Sequence, residues 1–425
     1  MRIPTLIRSS TALPALVPAL GLTLSFYFFS THDQVAYWPY PYAPTLVQRS
    51  IEQVYALSYA LVSAAAAWQG ARFKESRVRE SAPYRREWTI VALVLSPVVT
   101  VGWLILLVPV TLAFIERPTW PTPVSLPPLL LGMALCAAHG VIGFVVGQRL
   151  KPALAVPVMA CGVFLLVSYP HAMEPFYLRH MSGEYFAHLG FAETATAASM
   201  VAQLLPTLGL AVAASLTLMR GHALLRSGLG LVVCVGAVLI SHSIVKDWNY
   251  NPSVNVNAVR TTCTGTAPEV CLPVNAGRDA KAISDEVDRT FAVLEKYQVV
   301  DSPPKRVEEA LDYGRFTPDN TKDTGYLLLS TAQQENRVNA EVIGTYVKFP
   351  CEMPQPTLRR AVLIWLEQKT GTTPSYERIA AGDPFYTPAQ HQETLKAVAE
   401  VSAKSATEQV SWYRKISRSA CEGSS

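Results

Sequence analysis

Charge is scarce in the first 245 residues of this 425-residue chain, and it is missing where an ion-driven carrier would need it. Only 16% of all residues are Asp, Glu, Lys or Arg, against 50% that are hydrophobic. No charged residue sits in the middle of any long apolar run, although such residues ordinarily mark ion or proton paths because burying them in lipid is costly. A proton- or sodium-coupled carrier is therefore disfavoured. The chain also has no G-x-x-x-x-G-K-[ST] phosphate loop, no H-E-x-x-H pair and no G-x-S-x-G elbow, the local signatures of nucleotide hydrolysis, zinc peptidases and serine hydrolases. The expectation is no enzyme activity and no cofactor. Any energy source has to reside on another chain.

What is present is a series of apolar segments, each near the roughly 17–25 residues a helix needs to span the hydrocarbon core. They run over Leu13–Phe29, Ile51–Trp68, Thr89–Ile115, Leu126–Val146, Pro152–Ser168, Thr194–Leu218 and Ala223–Val245. The first ends in Phe-Tyr-Phe-Phe-Ser, not in the small-residue pattern of a cleavage site, and is read as a retained span; as a cleaved signal it would leave six. Basic residues alternate with the loops. Arg2, Arg8, Arg72, Lys74, Arg77, Arg79, Arg85, Arg86, Arg149, Lys151, Arg220 and Arg226 fall on one set, and only Arg49, Arg117 and Arg179 on the other. Twelve against three predicts a cytoplasmic N-terminus and places everything after Val245 outside. The net charge of +4 arises from these loops and not from a basic face suited to nucleic acid, which is set aside as a partner.

Residues 246–425 are enough for one folded domain. Their cysteines, Cys263, Cys271, Cys351 and Cys421, allow three pairings. Disulfides persist outside the cytoplasm, so cysteine usage and charge agree on the location. Cys263–Cys271, around Pro268, and Cys351–Cys421, pinning the C-terminal end, are the favoured pairs. Zinc is disfavoured because no C-x-x-C occurs and His391 has no partner histidine in the tail. The tail is predicted to be mostly helical with some strand: helices over Arg278–Tyr297, Thr357–Gln368 and Thr394–Ile416, a strand over Gly325–Ser330, and an extended connection over Trp248–Arg260.

In the membrane half, His139 and Gln203 are the only large polar side chains near mid-span and are read as interhelical hydrogen-bonding residues. Cys136, Cys161 and Cys234 are read as small buried hydrophobes. His171, His180 and His188, with Glu174 and Glu184, crowd the loop after the fifth segment; their wide spacing favours a solvated or interfacial loop over a metal site. The longest cytoplasmic segment, Gly70–Trp88, begins helical and breaks at Pro83. Its Arg72, Lys74, Arg77, Arg79, Glu80, Arg85 and Arg86 form the candidate surface for docking an ATPase, anionic lipid being the competing partner.

Three stretches carry a resemblance. Ala64–Arg72 with the charged run to Arg86, the turn Gly147-Gln-Arg-Leu-Lys-Pro152, and Cys263-Thr-Gly-Thr-Ala-Pro-Glu-Val-Cys271-Leu-Pro273 resemble an actinobacterial group of ABC transporter permease-like (ABC-2-like) membrane proteins. The resemblance implies a permease-type bundle followed by an extracytoplasmic domain, a separately encoded cytoplasmic ABC ATPase, and assembly as a homo- or hetero-oligomer of permease subunits in the lipid bilayer.

The expected fold class is thus an α-helical membrane bundle of about seven transmembrane helices (1–245) followed by a mostly α, mixed α+β extracytoplasmic, disulfide-containing domain (246–425). The expected protein is a multi-pass subunit of an export system in the plasma membrane, whose external domain gates or binds cargo. The alternative is a non-transporting sensory or accessory membrane protein with a ligand- or partner-binding domain outside.

Overall fold

A computed structural model of the chain describes residues 10–36, 39–76, 87–219, 222–276, 279–371, 376 and 387–422. It divides into two compact units, Met1–Asn257 and Ala258–Ser425.

Among the described residues, six helical stretches of the first unit are long and apolar enough to cross a membrane: Ala12–Thr31, Thr89–Glu116, Pro127–Arg149, Pro152–Ala172, Ala197–Leu216 and Ala223–Val245. The helices are α1 (Ala12–Phe26), α2 (Ala43–Glu52), α3 (Tyr55–Glu75), α4 (Glu87–Glu116), α5 (Pro127–Arg149), α6 (Pro152–Ser168), α7 (Ala197–Leu216) and α8 (Ala223–Val245). The expected span Ile51–Trp68 is built differently. Ile51 and Glu52 close the short helix α2, and α3 starts only at Tyr55 and runs on to Glu75.

Helix α3 is not among the six apolar stretches, and its polar side chains face protein. Tyr55 Oη donates to the Pro128 carbonyl at 2.8 Å, Ser58 Oγ to that of Gly102 at 3.0 Å, Tyr59 Oη to that of Gly183 at 3.1 Å and Ser63 Oγ to that of Met159 at 3.3 Å. A helix surrounded by other helices has no need of an apolar face for lipid. It packs on α5, α6 and α4.

The α3–α5 contact is made by backbone. A Cβ built on Gly143 or Gly147 of α5 would overlap the carbonyl oxygens of Ser63 and Ala67, and one on Gly70 of α3 would overlap that of Phe144. Small residues at four-residue spacing let helix backbones approach this closely, and van der Waals packing then holds them without help from water. Helices α7 and α8 form a second pair, with Gly209 against Ala237 and Gly230 against Ala213. That pair meets the first through α7 on α5.

Two strands, β1 (Glu193–Ala195) and β2 (Val254–Val256), pair antiparallel. This pairing keeps the chain beyond α8 with the first unit as far as Asn257.

The second unit has a four-stranded sheet ordered β3-β4-β5-β6, from Thr261–Thr264, Glu269–Pro273, Arg306–Glu309 and Thr324–Leu327. β3 and β4 form an antiparallel hairpin and the remaining pairs are parallel. Its helices are α9 (Asp279–Lys296), α10 (Leu329–Gln334), α11 (Val338–Tyr346), α12 (Pro356–Thr370), α13 (Pro388–Ser402) and α14 (Ala406–Ser419). Trp365 is fully buried, donates to Gln409 Oε1 at 3.1 Å and meets the rings of Tyr297, Trp412 and Tyr413.

Cys263 is bonded to Cys271, its directly opposed partner in the β3–β4 register, and Cys351 to Cys421. Each such bridge is worth roughly 2–4 kcal/mol, chiefly by restricting the unfolded chain. Two expected elements are corrected. Thr394–Ile416 is two helices, because Ser405 and Glu408 form a capping box that starts α14 afresh. The run Gly325–Ser330 is a strand only as far as Leu327, after which Leu329 and Ser330 begin α10.

Replacing Gly143 and Gly147 together by leucine should therefore separate α3 from α5. Fluorescence-detected size exclusion should show the double variant aggregated on extraction, while Gly162→Phe, at a position with nothing within 4 Å of a built Cβ, remains monodisperse. A well-behaved double variant would contradict the packing argument.

Candidate functional site

The loop between α6 and α7 turns back into the bundle. Gly183 donates its N–H to Gln203 Oε1 at 2.7 Å, and Gln203 Nε2 donates to the Arg179 carbonyl at 3.0 Å. A Cβ built on Gly183 would meet Leu135, Thr207 and Tyr59. Since α7 begins at Ala197, reaching Thr207 carries the loop about 15 Å along it, at ~1.5 Å per residue. Non-helical backbone is tolerated at such depth only where protein or a cavity satisfies it. Gln203 meets that need. It serves the loop backbone and not another helix, which corrects its expected interhelical role.

Of the loop residues expected to be solvated or interfacial, His180 and Glu184 are buried, His171 and His188 are half-buried, and Glu174 is exposed. His180 is 2% exposed, donates from Nε2 to the Asn249 carbonyl at 2.7 Å and packs edge-on to Trp248. His171 Nε2 lies 3.1 Å from Glu184 Oε2. His188 Nδ1 lies 3.5 Å from Glu52 Oε1, and Arg49 reaches both His188 and Glu52. Arg179 is 2% exposed, and its three guanidinium nitrogens have no hydrogen-bond partner among the described residues. Its charge is met instead by the faces of Tyr250, 3.7 Å from the ring centre, and Phe186, 5.7 Å away. Cation–π contacts contribute roughly 0.5–2 kcal/mol and do not replace the lost hydrogen bonds of a buried cation. Linear spacing hid this cluster because α2 supplies half of its charges from far upstream.

Under the loop lies a cavity of about 440 Å³ lined by α5, α6, α7 and the loop residues Met181 and Ser182. None of its lining residues is Asp, Glu, Lys or Arg. His139 forms part of the wall. It stacks on Tyr59 with ring centres 5.0 Å apart, and neither ring nitrogen has a hydrogen-bond partner among the described residues. This also departs from the expected interhelical bond. An unsatisfied buried polar group costs about 1–3 kcal/mol, so the bundle retains His139 at a cost. Of the membrane cysteines, Cys136 is buried as expected, whereas Cys161 is exposed and Cys234 half-buried, because α6 and α8 turn those positions away from the helix contacts.

Among the proposed docking residues, Arg72 and Lys74 occupy the last turn of α3, exposed, where cations complement the helix dipole. Arg77, Arg79, Glu80, Arg85 and Arg86 lie outside the described residues. Phe73, between the two described cations, is buried against Phe144 of α5 with ring centres 5.5 Å apart.

The second unit has an acidic corner near its Cys263–Cys271 bridge. Burial, followed by hydrogen bonds from Ser330 and Leu311 that act the other way, leaves Glu309 raised from 4.5 to about 7. Burial and then the neighbouring charges of Glu309 and Glu308 raise Asp312 from 3.8 to about 7. The Sγ atoms of Cys263 and Cys271 lie close to the Glu269 carboxylate, but both sulfurs are committed to the disulfide and offer no thiolate to a metal.

Acids whose folded pKa is raised bind protons more readily in the folded than in the unfolded chain. Their contribution is favourable below about pH 4 and is lost as pH rises through about 7. Hydrogen-exchange protection of the peptide 306–313 in the full chain, corrected for intrinsic rates, should fall by roughly tenfold between pH 5 and pH 8. Asp312→Asn should flatten that profile; protection that rises with pH would contradict the assignment.

No family model matches the chain, and no curated protein and no solved structure matches it.

Proposed function

We propose that the chain is the permease-like membrane subunit of an ABC-type export system, driven by a separate cytoplasmic ATPase, with α3 as a seventh span and the second unit outside the cell. The observation that carries this reading is mechanical. Helix α3 ends in the basic segment at Arg72 and Lys74 and is fused by backbone contact to α5, which forms one wall of the charge-free cavity. A partner that grips the end of α3 moves that wall directly. The opposite wall belongs to the α7–α8 pair, so displacement of one pair against the other opens or closes the seam between them, as in transporters that rock one helix group against another. With no intramembrane carboxylate to bind a driving ion, coupling falls to the docked chain.

The second reading, a sensory or accessory protein with a ligand-binding domain, has its own support. A surface groove of about 950 Å³ in the second unit is flanked by Lys296, Arg414, Lys415 and Arg418, with only Glu422 opposing them. That groove suits an anionic ligand.

Affinity purification from native membranes separates the two. An ATPase should co-purify with the unmodified chain and be lost with Arg77→Glu combined with Glu80→Lys, with membrane insertion preserved by the remaining basic residues. Recovery of a kinase or an envelope protein and no ATPase under any growth condition would favour the second reading.

A further inference from the structure

The cavity beside His139 has the features of a ligand site that the export reading does not require. Its volume of about 440 Å³ falls within the ~300–1,000 Å³ range of small-molecule sites. Its walls are apolar, from Ile142 of α5 through Met159 and Val163 of α6 to Leu210 of α7. Its rim faces sideways: Val158, Leu166 and Leu210 are 47%, 73% and 46% exposed on helices apolar enough to sit in lipid. A ligand therefore enters from the bilayer and not from water.

Two observations fix its chemistry. The lining contains no Asp, Glu, Lys or Arg, and a charged group carried to this depth would go unpaired at high cost. His139, 8% exposed, lines the cavity with both ring nitrogens lacking a hydrogen-bond partner among the described residues. A neutral imidazole offers one donor and one acceptor. A hydroxyl can meet either, whichever nitrogen holds the proton, because it donates and accepts through the same atom. Thr207 adds a further hydroxyl to the wall.

We propose that this cavity binds an uncharged long-chain lipid alcohol, its chain along α6 and α7 and its hydroxyl hydrogen-bonded to His139. The inference rests on the apolar helices lying in a bilayer and not on the export reading. It survives if no ATPase partner exists.

The test uses the purified full chain in phosphatidylcholine nanodiscs and three photoactivatable probes of equal length: hexadecanol, palmitate and hexadecane, each with a mid-chain diazirine. Hexadecanol should label peptides covering 158–167 and 207–210 saturably, at least tenfold more strongly than hexadecane or palmitate. Gly162→Phe, which adds a ring where nothing lies within 4 Å of a built Cβ, should abolish that labelling. His139→Phe keeps the ring and removes both nitrogens, and should reduce hexadecanol labelling to the hexadecane level. Equal labelling by hexadecanol and hexadecane in the unmodified chain overturns the proposal without recourse to any variant. So does labelling by palmitate as strong as by hexadecanol, or labelling that persists in Gly162→Phe.

Discussion

The membrane unit depends on the contact between the backbones of α3 and α5. Gly143 and Gly147 on one helix and Gly70 on the other bring carbonyl oxygens to where side chains would stand. Lipid tails are as apolar as leucine, so hydrophobicity cannot drive two helices together inside a bilayer, and close packing has to do so. Once α3 is central, its serines and tyrosines are surrounded by the carbonyls of α4, α5, α6 and the α6–α7 loop. The same bonds hold the loop in the bundle, and the cavity exists because the loop and α7 stand off from α6. The rigid pair and the open seam have one origin.

This arrangement also accounts for the uneven distribution of polar groups. Where α3 meets its neighbours, the hydroxyls of Tyr55, Ser58, Tyr59 and Ser63 each have a carbonyl partner. At the loop, Arg179 is balanced only by aromatic faces, and at the cavity wall His139 is not balanced at all. Buried polar groups are ordinarily satisfied. Those left unsatisfied beside a cavity are the positions where a bound molecule would contribute most.

Six of the apolar stretches were legible because length and hydropathy are local properties of a sequence, and both disulfides followed from four cysteines in a short tail. The break between α13 and α14 was also locally written, in Ser405-Ala-Thr-Glu408, but an amphipathic pattern continuing across it masked the cap. The loop cluster was not legible. His171, His180, His188 and Glu184 show no metal spacing among themselves, and their partners Arg49 and Glu52 come from α2, brought there by tertiary packing. The end of α2 was likewise merged with α3, since Ile51 and Val54 lead into the apolar run that follows although Glu52 and Gln53 lie between them. The spacing Gly140-x-x-Gly143-x-x-x-Gly147 was not singled out in the sequence, because only the structure shows which helix it faces.

The central claim is that α3 and α5 move as one body and that the seam between α6 and α7 is where the bundle yields. Pulsed electron paramagnetic resonance tests it with one spin-label pair across the seam, at Leu166 and Leu210, and one within the rigid pair, at Trp68 and Leu130. All four positions are exposed and apolar. On adding the ATPase partner proposed above, with a non-hydrolysable ATP analogue, the account predicts that the Leu166–Leu210 distance distribution shifts while the Trp68–Leu130 distribution keeps its mean and width. A shift in Trp68–Leu130, or an unchanged Leu166–Leu210 distance, would contradict it.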